Sequence, residues 1–371
     1  MAVALLEALI HRKAALPIHV HDFFCGCGGT SAGLRSAGLD IRLGIDIDPD
    51  AKRTFEANFP EADFLRRDVY DLPVDTLAPY IVRDSINLLL FCCCAPCQPF
   101  SRQNKNRDSK DAEALLLYEF ARFVEYYLPE LIFLENVPGL QNVDNGAGPF
   151  NDFVIFLNGL NYKLDYGVIE SQDYGVPQRR RRLILIASLL GEIKLPEKTH
   201  GPGTENPSYS TVWEWIGDFP PIAAGETHPQ VLNHRAAMLS DMNLKRIKST
   251  PEGGGRLDWP KKLVLDCHSK EYRGHTDVYG RMHKDRPASG LTTRCISLSN
   301  GRFGHPEQNR AISLREAACL QTFSRDFAFF GSLNSMARQV GNAVPVRIAQ
   351  IFGEHFITHS KLHKRRVKIN G

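Results

Sequence analysis

The stretch "FCCCAPCQPFS", residues 91–101, places four cysteines within six positions. Such a cluster can be a metal knot, a disulfide, a cysteine-rich buried strand or a nucleophile. Cys92, Cys93 and Cys94 lie inside the apolar run Ile86 to Pro96, so they read as small hydrophobes alternating between the two faces of a strand. A zinc site needs a second cysteine pair at matching spacing. Cys94 and Cys97 form one formal C-x-x-C, Cys25 and Cys27 are separated by one residue, and Cys267, Cys295 and Cys319 are scattered, so no metal is expected. Cys97 differs from its neighbours because it follows Pro96, outside the strand. A thiol there can be partly exposed and its thiolate stabilised, as nucleophilic catalysis requires.

The elements that must hold such a thiol are legible around it. "IHVHDFF" (18–24), "IRLGIDI" (41–47), "INLLLFCCC" (86–94), "LIFLEN" (131–136) and "RLILIAS" (182–188) read as buried strands. Helical patterns over 30–37, 50–58 and 111–127 separate them, which predicts a Rossmann-like α/β fold with a mostly parallel sheet covered on both faces. Ligands of such sheets bind at the carboxyl ends of the strands. There stand Gly26, Gly28 and Gly29, then Asp46 with Asp48 beyond it, Asp68, the "APCQPFS" loop, and Glu135 in "ENVPG". The glycines let the backbone turn tightly and approach a ligand. Ser31 stands where the dinucleotide fingerprint wants a third glycine, so a pyrophosphate cradle is not indicated. Asp46 lies about 20 residues on, where a carboxylate accepts from ribose hydroxyls. Together they suggest an adenosine ligand without a pyrophosphate, and S-adenosylmethionine fits. Asp46 could instead cap the helix of "DPDAKRTF", although Asp48, followed by Pro49, is the better cap.

Composition bounds the rest. A chain of 371 residues, 43% hydrophobic and 23% charged, suggests a globular enzyme of about two domains. The net charge of +3 neither demands nor excludes nucleic acid, so the local placement of charge must decide. Nine irregularly spaced cysteines argue against a secreted disulfide framework and for a reducing cytoplasm. The start "MAVALLEALIHRK" reads as a short amphipathic helix rather than a signal peptide, and no run is long enough to span a bilayer. From about Leu190 the chain turns irregular and rich in Pro and Gly, with "GPGTENP", "FPPIAAGE" and "TPEGGGRLDWP". Helical pattern returns in "SLREAACLQTF" (313–323) and in 336–360, resuming after Pro345. The expected organisation is a catalytic and cofactor domain over 1–190, completed by 330–371, and a smaller domain over 191–329.

In this order and spacing, "DFFCGCGG", "APCQPFS", "LENVPGL", "VPQRRRR" and "QVGNAVP" resemble the DNA cytosine-5 methyltransferases of bacterial, restriction-modification type. The likeness covers roughly residues 19–190 and 280–350. It implies methyl transfer from S-adenosylmethionine to C5 of a cytosine swung out of double-stranded DNA. Cys97 would add to C6, and Glu135 would hydrogen-bond N3 and the exocyclic amine. Gln178, Arg180 and Arg182 match a Gln-x-Arg-x-Arg pattern. Alternate residues of a strand share a face, so Arg180 and Arg182 would aim together at base oxygen, phosphate and Glu135. The cofactor set would be Phe24 on adenine, Gly26 and Gly28 near the methionine part, Asp46 on ribose with Ile47 beside it, Asp68 and Val69 at the adenine edge, and Pro96 and Asn342 closing the pocket. Cys25 and Cys27 stand where the family usually has a small and often a branched residue. Gln98, Ser101, Gln178 and Arg294 would face DNA. Arg286, Arg302 and Arg310 are further phosphate candidates, and Arg235, Arg246, Arg256, Tyr272 and Arg273 are candidates for reading bases. The resemblance also implies a monomer, with a cognate restriction endonuclease as possible companion.

Two other readings compete. The tRNA-directed branch of the same superfamily shares the cysteine and glutamate but carries a Cys-Phe-Thr signature that this sequence lacks. A non-catalytic DNA-binding relative of the same cofactor fold would lose the Pro-Cys pair or the glycine loop, and both are here.

Overall fold

A computed structural model describes residues 16–83, 87–95, 110–146, 148–266 and 276–369. Pro96, Cys97, Gln98, Ser101, Cys267, Tyr272, Arg273 and the N-terminal 1–13 lie outside the described residues.

Nearly continuous apolar runs make the central strands. β1 (Ile18–Phe23), β4 (Leu88–Cys93) and β5 (Leu131–Asn136) are buried along their whole length. With β2 (Asp40–Asp46) and β3 (Asp63–Arg66) they form parallel pairs, and β8 (Arg181–Ser188) and β6 (Lys163–Glu170) then add antiparallel to give the order β3-β2-β1-β4-β5-β8-β6. The 182–188 strand therefore runs against the parallel set. β6, which carries no continuous apolar run, is an edge strand absent from the sequence reading.

Strand alternation divides the core. Cys92, Leu131, Phe133, Ile184 and Ile186 belong to one face, while Phe91, Cys93, Ile132, Leu134 and Leu185 belong to the other. Helices α3 (Lys110–Tyr127) and α4 (Pro149–Gly159) contribute Phe120, Phe123 and Phe153 to the second face. α1 (Gly29–Ser36) and the C-terminal helix α9 (Val346–Ile369) lie on the first, where the rings of Phe133 and Phe352 meet at a tilt of 57° with centroids 5.3 Å apart. Each such buried ring contributes about 1.5–3 kcal/mol. The two helices approach closely because of glycines: a Cβ on Gly29 would sit 2.7 Å from the Val344 carbonyl, and one on Gly33 would overlap that of Val346.

Among its described residues the irregular segment carries the short helices α5 (Val212–Ile216) and α6 (Asp241–Lys248) and the strand β9 (Ala288–Ser289), which pairs with β7 (Gln178–Arg179) of the preceding part. Its core is continuous with the first sheet face through Val212, Ile216, Phe303 and Leu320; Ile247, Leu298 and Ala311 form a small cluster of their own. "SLREAACLQTF" gives α7 (Leu314–Leu320), shorter than its pattern and buried on all sides. The 336–360 pattern divides into α8 (Leu333–Asn342) and α9, with Pro345 at the break. Among the described residues no helix is long and apolar enough to cross a membrane, and no group of three or more His, Cys, Asp or Glu is placed to hold a metal ion.

Candidate active site

At the mouth of β1 the chain turns through Phe24 (φ 57°), Gly26 (φ 52°) and Gly28 (φ 90°), which caps α1. The positive φ at Gly26 and Gly28 is where glycine is needed. Asp46, the last residue of β2, holds this loop: its Oδ2 accepts from Gly26 N at 2.8 Å and its Oδ1 from Asp48 N at 2.9 Å. Burial raises the Asp46 carboxyl above its ordinary range, with those two N–H donors opposing. Asp48 caps α2 (Pro49–Asn58) by accepting from Asp50 N and Ala51 N, which leaves Asp46 for the loop.

The surroundings fit an adenosyl ligand. A Cβ built on Gly26 meets nothing within 4 Å, so open space faces the loop. Half-buried Phe24 and the 63% exposed Ile47 offer apolar surface on its flanks. Asp68 is exposed and accepts from Tyr70 N, Val69 is buried, and Asn342 is exposed at the end of α8. Cys25 and Cys27 are buried within the loop, and burial pushes the Cys27 thiol up to about 12, so both keep their protons.

A buried carboxyl stands beneath. Asp22 accepts from Ser31 Oγ at 2.6 Å through Oδ2, while its Oδ1 has no partner. The residue that breaks the third-glycine pattern thus has a use, tying the first turn of α1 to β1. Thr30 Oγ1 lies 3.2 Å from Cys94 Sγ, which links the same turn to the end of β4. Cys92 and Cys93 occupy opposite faces of β4, in keeping with the strand reading.

Glu135 is 7% exposed near the end of β5, and Arg182 Nε lies 2.6 Å from its Oε1. Asn136 donates to Ala95 O at 3.3 Å, joining the end of β5 to the residue that precedes Pro96-Cys97. The four arginines alternate: Arg179 and Arg181 are exposed, Arg180 is buried and Arg182 nearly so. Arg180, however, contacts neither Glu135 nor an open cleft. It donates to Leu291 O at 2.8 Å, Gly341 O at 3.0 Å and Ala343 O at 3.4 Å. Burial disfavours its charge and nearby Arg182 adds repulsion.

Several expected DNA contacts are internal instead. Gln178 is fully buried, donates to Gln321 Oε1 and Leu320 O, and accepts from Leu291 N, so its amide faces no duplex. Arg310 is fully buried against Glu316 at 2.7 Å. Arg302 donates to Gly253 O and Gly254 O. Arg246 donates to Leu263 O and packs against Trp259 and Tyr279, and Arg256 is also buried. Arg235, Arg286 and Arg294 are exposed. The irregular segment has few strands, so its carbonyls lack ladder partners, and guanidinium forks supply them. The sequence assigns no role of their own to Gln321 and Asn136, whose amides bridge elements at the site; the signal for Gln321 is a polar residue directly after the apolar end of α7, Ala317–Leu320.

The family model for C-5 cytosine-specific DNA methylases matches residues 18–358. The Type II methylase M.HgiDII of Herpetosiphon aurantiacus is 39% identical over 357 residues, covering 94% of this chain and 98% of that protein. The Type II methyltransferase M1.HphI of Haemophilus parahaemolyticus is 35% identical over 336 residues, covering 90% and 85%. In fold, a variant of DNMT2 from Spodoptera frugiperda aligns with a TM-score of 0.60 at 17% identity, covering 91% of this chain and 99% of that one. The chain belongs to the C-5 cytosine-specific DNA methylase family, and its activity is the transfer of a methyl group from S-adenosylmethionine to C5 of cytosine in DNA.

Proposed function

We propose that Cys97 is the nucleophile of this reaction, that Glu135 serves N3 and the exocyclic amine of an extruded cytosine, and that Arg182 orients Glu135. The observation that carries this reading is the bond from Asn136 to Ala95 O, which fastens the Glu135 strand end to the chain just before Pro96-Cys97. S-adenosylmethionine supplies a methyl group on a sulfonium, open to attack by a carbon nucleophile. Cytosine C5 is a weak nucleophile. A Cys97 thiolate adding to C6 pushes an electron pair toward N3 and makes C5 an enamine carbon. Glu135, sharing a proton with N3, takes up the developing charge. Once C5 has taken the methyl group and the sulfonium has left as a thioether, loss of the C5 proton to a base and expulsion of the Cys97 thiolate restore the ring. Phe24, Gly26, Gly28, Asp46, Ile47, Asp68, Val69, Pro96 and Asn342 form the cofactor side in this reading. Arg180 acts on the backbone around Asn342.

Residues 191–329 serve as the recognition region on a catalytic part made of 1–190 and 330–371. Gln98 and Ser101 face the emptied duplex position, and Arg294 contacts phosphate. In this reading the chain is a cytoplasmic monomer that protects DNA beside a cognate endonuclease, and the Type II names of the relatives support the pairing with an endonuclease. Replacing Cys97 by Ser tests the central role: tritiated methyl transfer to duplex is lost while cofactor still binds. Undiminished turnover removes Cys97 from the mechanism. Bisulfite sequencing of DNA from cells expressing the chain reads out the modified word.

A further inference from the structure

The end of α8 and the start of α9 expose backbone groups that no helix can satisfy internally. One dipeptide satisfies both ends. Gln321 Nε2 donates to Val340 O at 2.7 Å and to Ala343 O at 3.1 Å, closing the C-terminus of α8. Gln321 O accepts from Val346 N at 3.1 Å, and Thr322 Oγ1 accepts from Arg347 N at 2.8 Å, closing the N-terminus of α9. Gln321 is fully buried, and Gln178 Nε2, at 2.9 Å from its Oε1, fixes which way the amide faces. Arg180 completes the grip through Gly341 O and Ala343 O, on either side of exposed Asn342. The gripped turn rests on α1 just after the glycine loop, where Ala343 and Val344 crowd Gly29.

We propose that Gln321, oriented by Gln178, is a positioning residue for cofactor binding: it seats the Asn342 turn against the glycine loop and acts through Asn342. This rests on the reading of Asn342 as part of the cofactor pocket. A residue that only supported the fold would lower the active fraction, and with it kcat. A residue that places Asn342 changes the KM for S-adenosylmethionine instead.

The test uses the full chain with Gln321→Met, which keeps the side chain's length and removes its donor, Asn342→Ala, and the double variant. S-adenosylmethionine KM, kcat on duplex DNA and cofactor Kd by calorimetry are measured for each. Asn342→Ala and Gln321→Met each raise KM and Kd about tenfold, with kcat within about twofold, and the double variant is no weaker than Asn342→Ala alone. If Asn342→Ala leaves KM and Kd unchanged, the pocket reading of Asn342 fails and the inference falls with it. If Asn342→Ala weakens binding but Gln321→Met lowers kcat alone, or adds its full effect to that of Asn342→Ala, the pocket reading stands and the role of Gln321 is overturned. Should Gln321→Met not fold, Gln178→Met frees the Gln321 amide more gently and gives a smaller shift in the same direction; a change in kcat alone overturns the inference there too.

Discussion

Arg182 Nε lies 2.6 Å from Glu135 Oε1, yet that oxygen has no aligned hydrogen-bond donor. Charge and proximity hold the pair, and the carboxyl keeps directional capacity for a ligand. Glu135→Gln retains the shape and removes the exchangeable carboxyl proton, so kcat falls about 10²–10⁴-fold, the usual range for a lost acid–base group. Arg182→Met leaves the carboxylate without its cation and lowers kcat in the same direction. Both variants bind S-adenosylmethionine as the parent does, because neither side chain belongs to the glycine-loop side. Calorimetry alongside single-turnover methyl transfer checks this, and weakened cofactor binding with intact chemistry contradicts it.

How far the sequence spoke for this site depended on what each residue had to satisfy. Strands 18–24, 86–94 and 131–136 were legible because burial on both faces demands unbroken apolar runs, and the residues at their ends followed. β6 was not, since an edge strand such as "KLDYGVIE" is half-exposed and satisfies neither period. The arginines failed for another reason. Charge in a Pro- and Gly-rich segment suggests phosphate, but Arg246, Arg302 and Arg310 serve orphaned carbonyls or a buried carboxylate. Gln178 carried a family motif, and its amide turned out to bond inward to Gln321. Nothing in one-dimensional spacing distinguishes an inward amide from an outward one.

Asp22 gives the fold a pH signature. Burial lifts its carboxyl from 3.8 to about 7, against the hydrogen bond from Ser31. Below pH about 4 the group is protonated in both folded and unfolded chains, and its contribution to stability is fully present. As pH rises toward 7 the unfolded carboxyl ionises while the folded one does not, so that stability is lost, and above 7 the loss levels off. Asp22→Asn keeps an acceptor for Ser31 and cannot ionise. Relative to the parent, the variant therefore gains urea-unfolding free energy between pH 4 and 7, on the order of a few kcal/mol. A difference that stays flat across that window means the Asp22 carboxyl is not sealed in its neutral form.

Arg310 and Arg294 make opposite predictions although both are arginines of the same region. Arg310 and Glu316 are fully buried, joined by two bonds of 2.7 Å, and Arg310 Nε also reaches Ile222 O. His305 lies 3.7 Å from the same carboxylate, with its own proton affinity pushed down to about 4 by burial. Removing one partner strands the other in a dry interior. Arg310→Met thus costs about 3–5 kcal/mol in chemical unfolding, and the folded fraction keeps the parent's salt dependence of DNA binding. Arg294 is exposed, so Arg294→Ala leaves stability within about 0.5 kcal/mol and reduces the slope of log Kd against log salt by about one phosphate contact. Denaturant titrations paired with DNA binding at several salt concentrations separate the two. An Arg310→Met chain of unchanged stability and shallower salt slope would return Arg310 to the DNA interface.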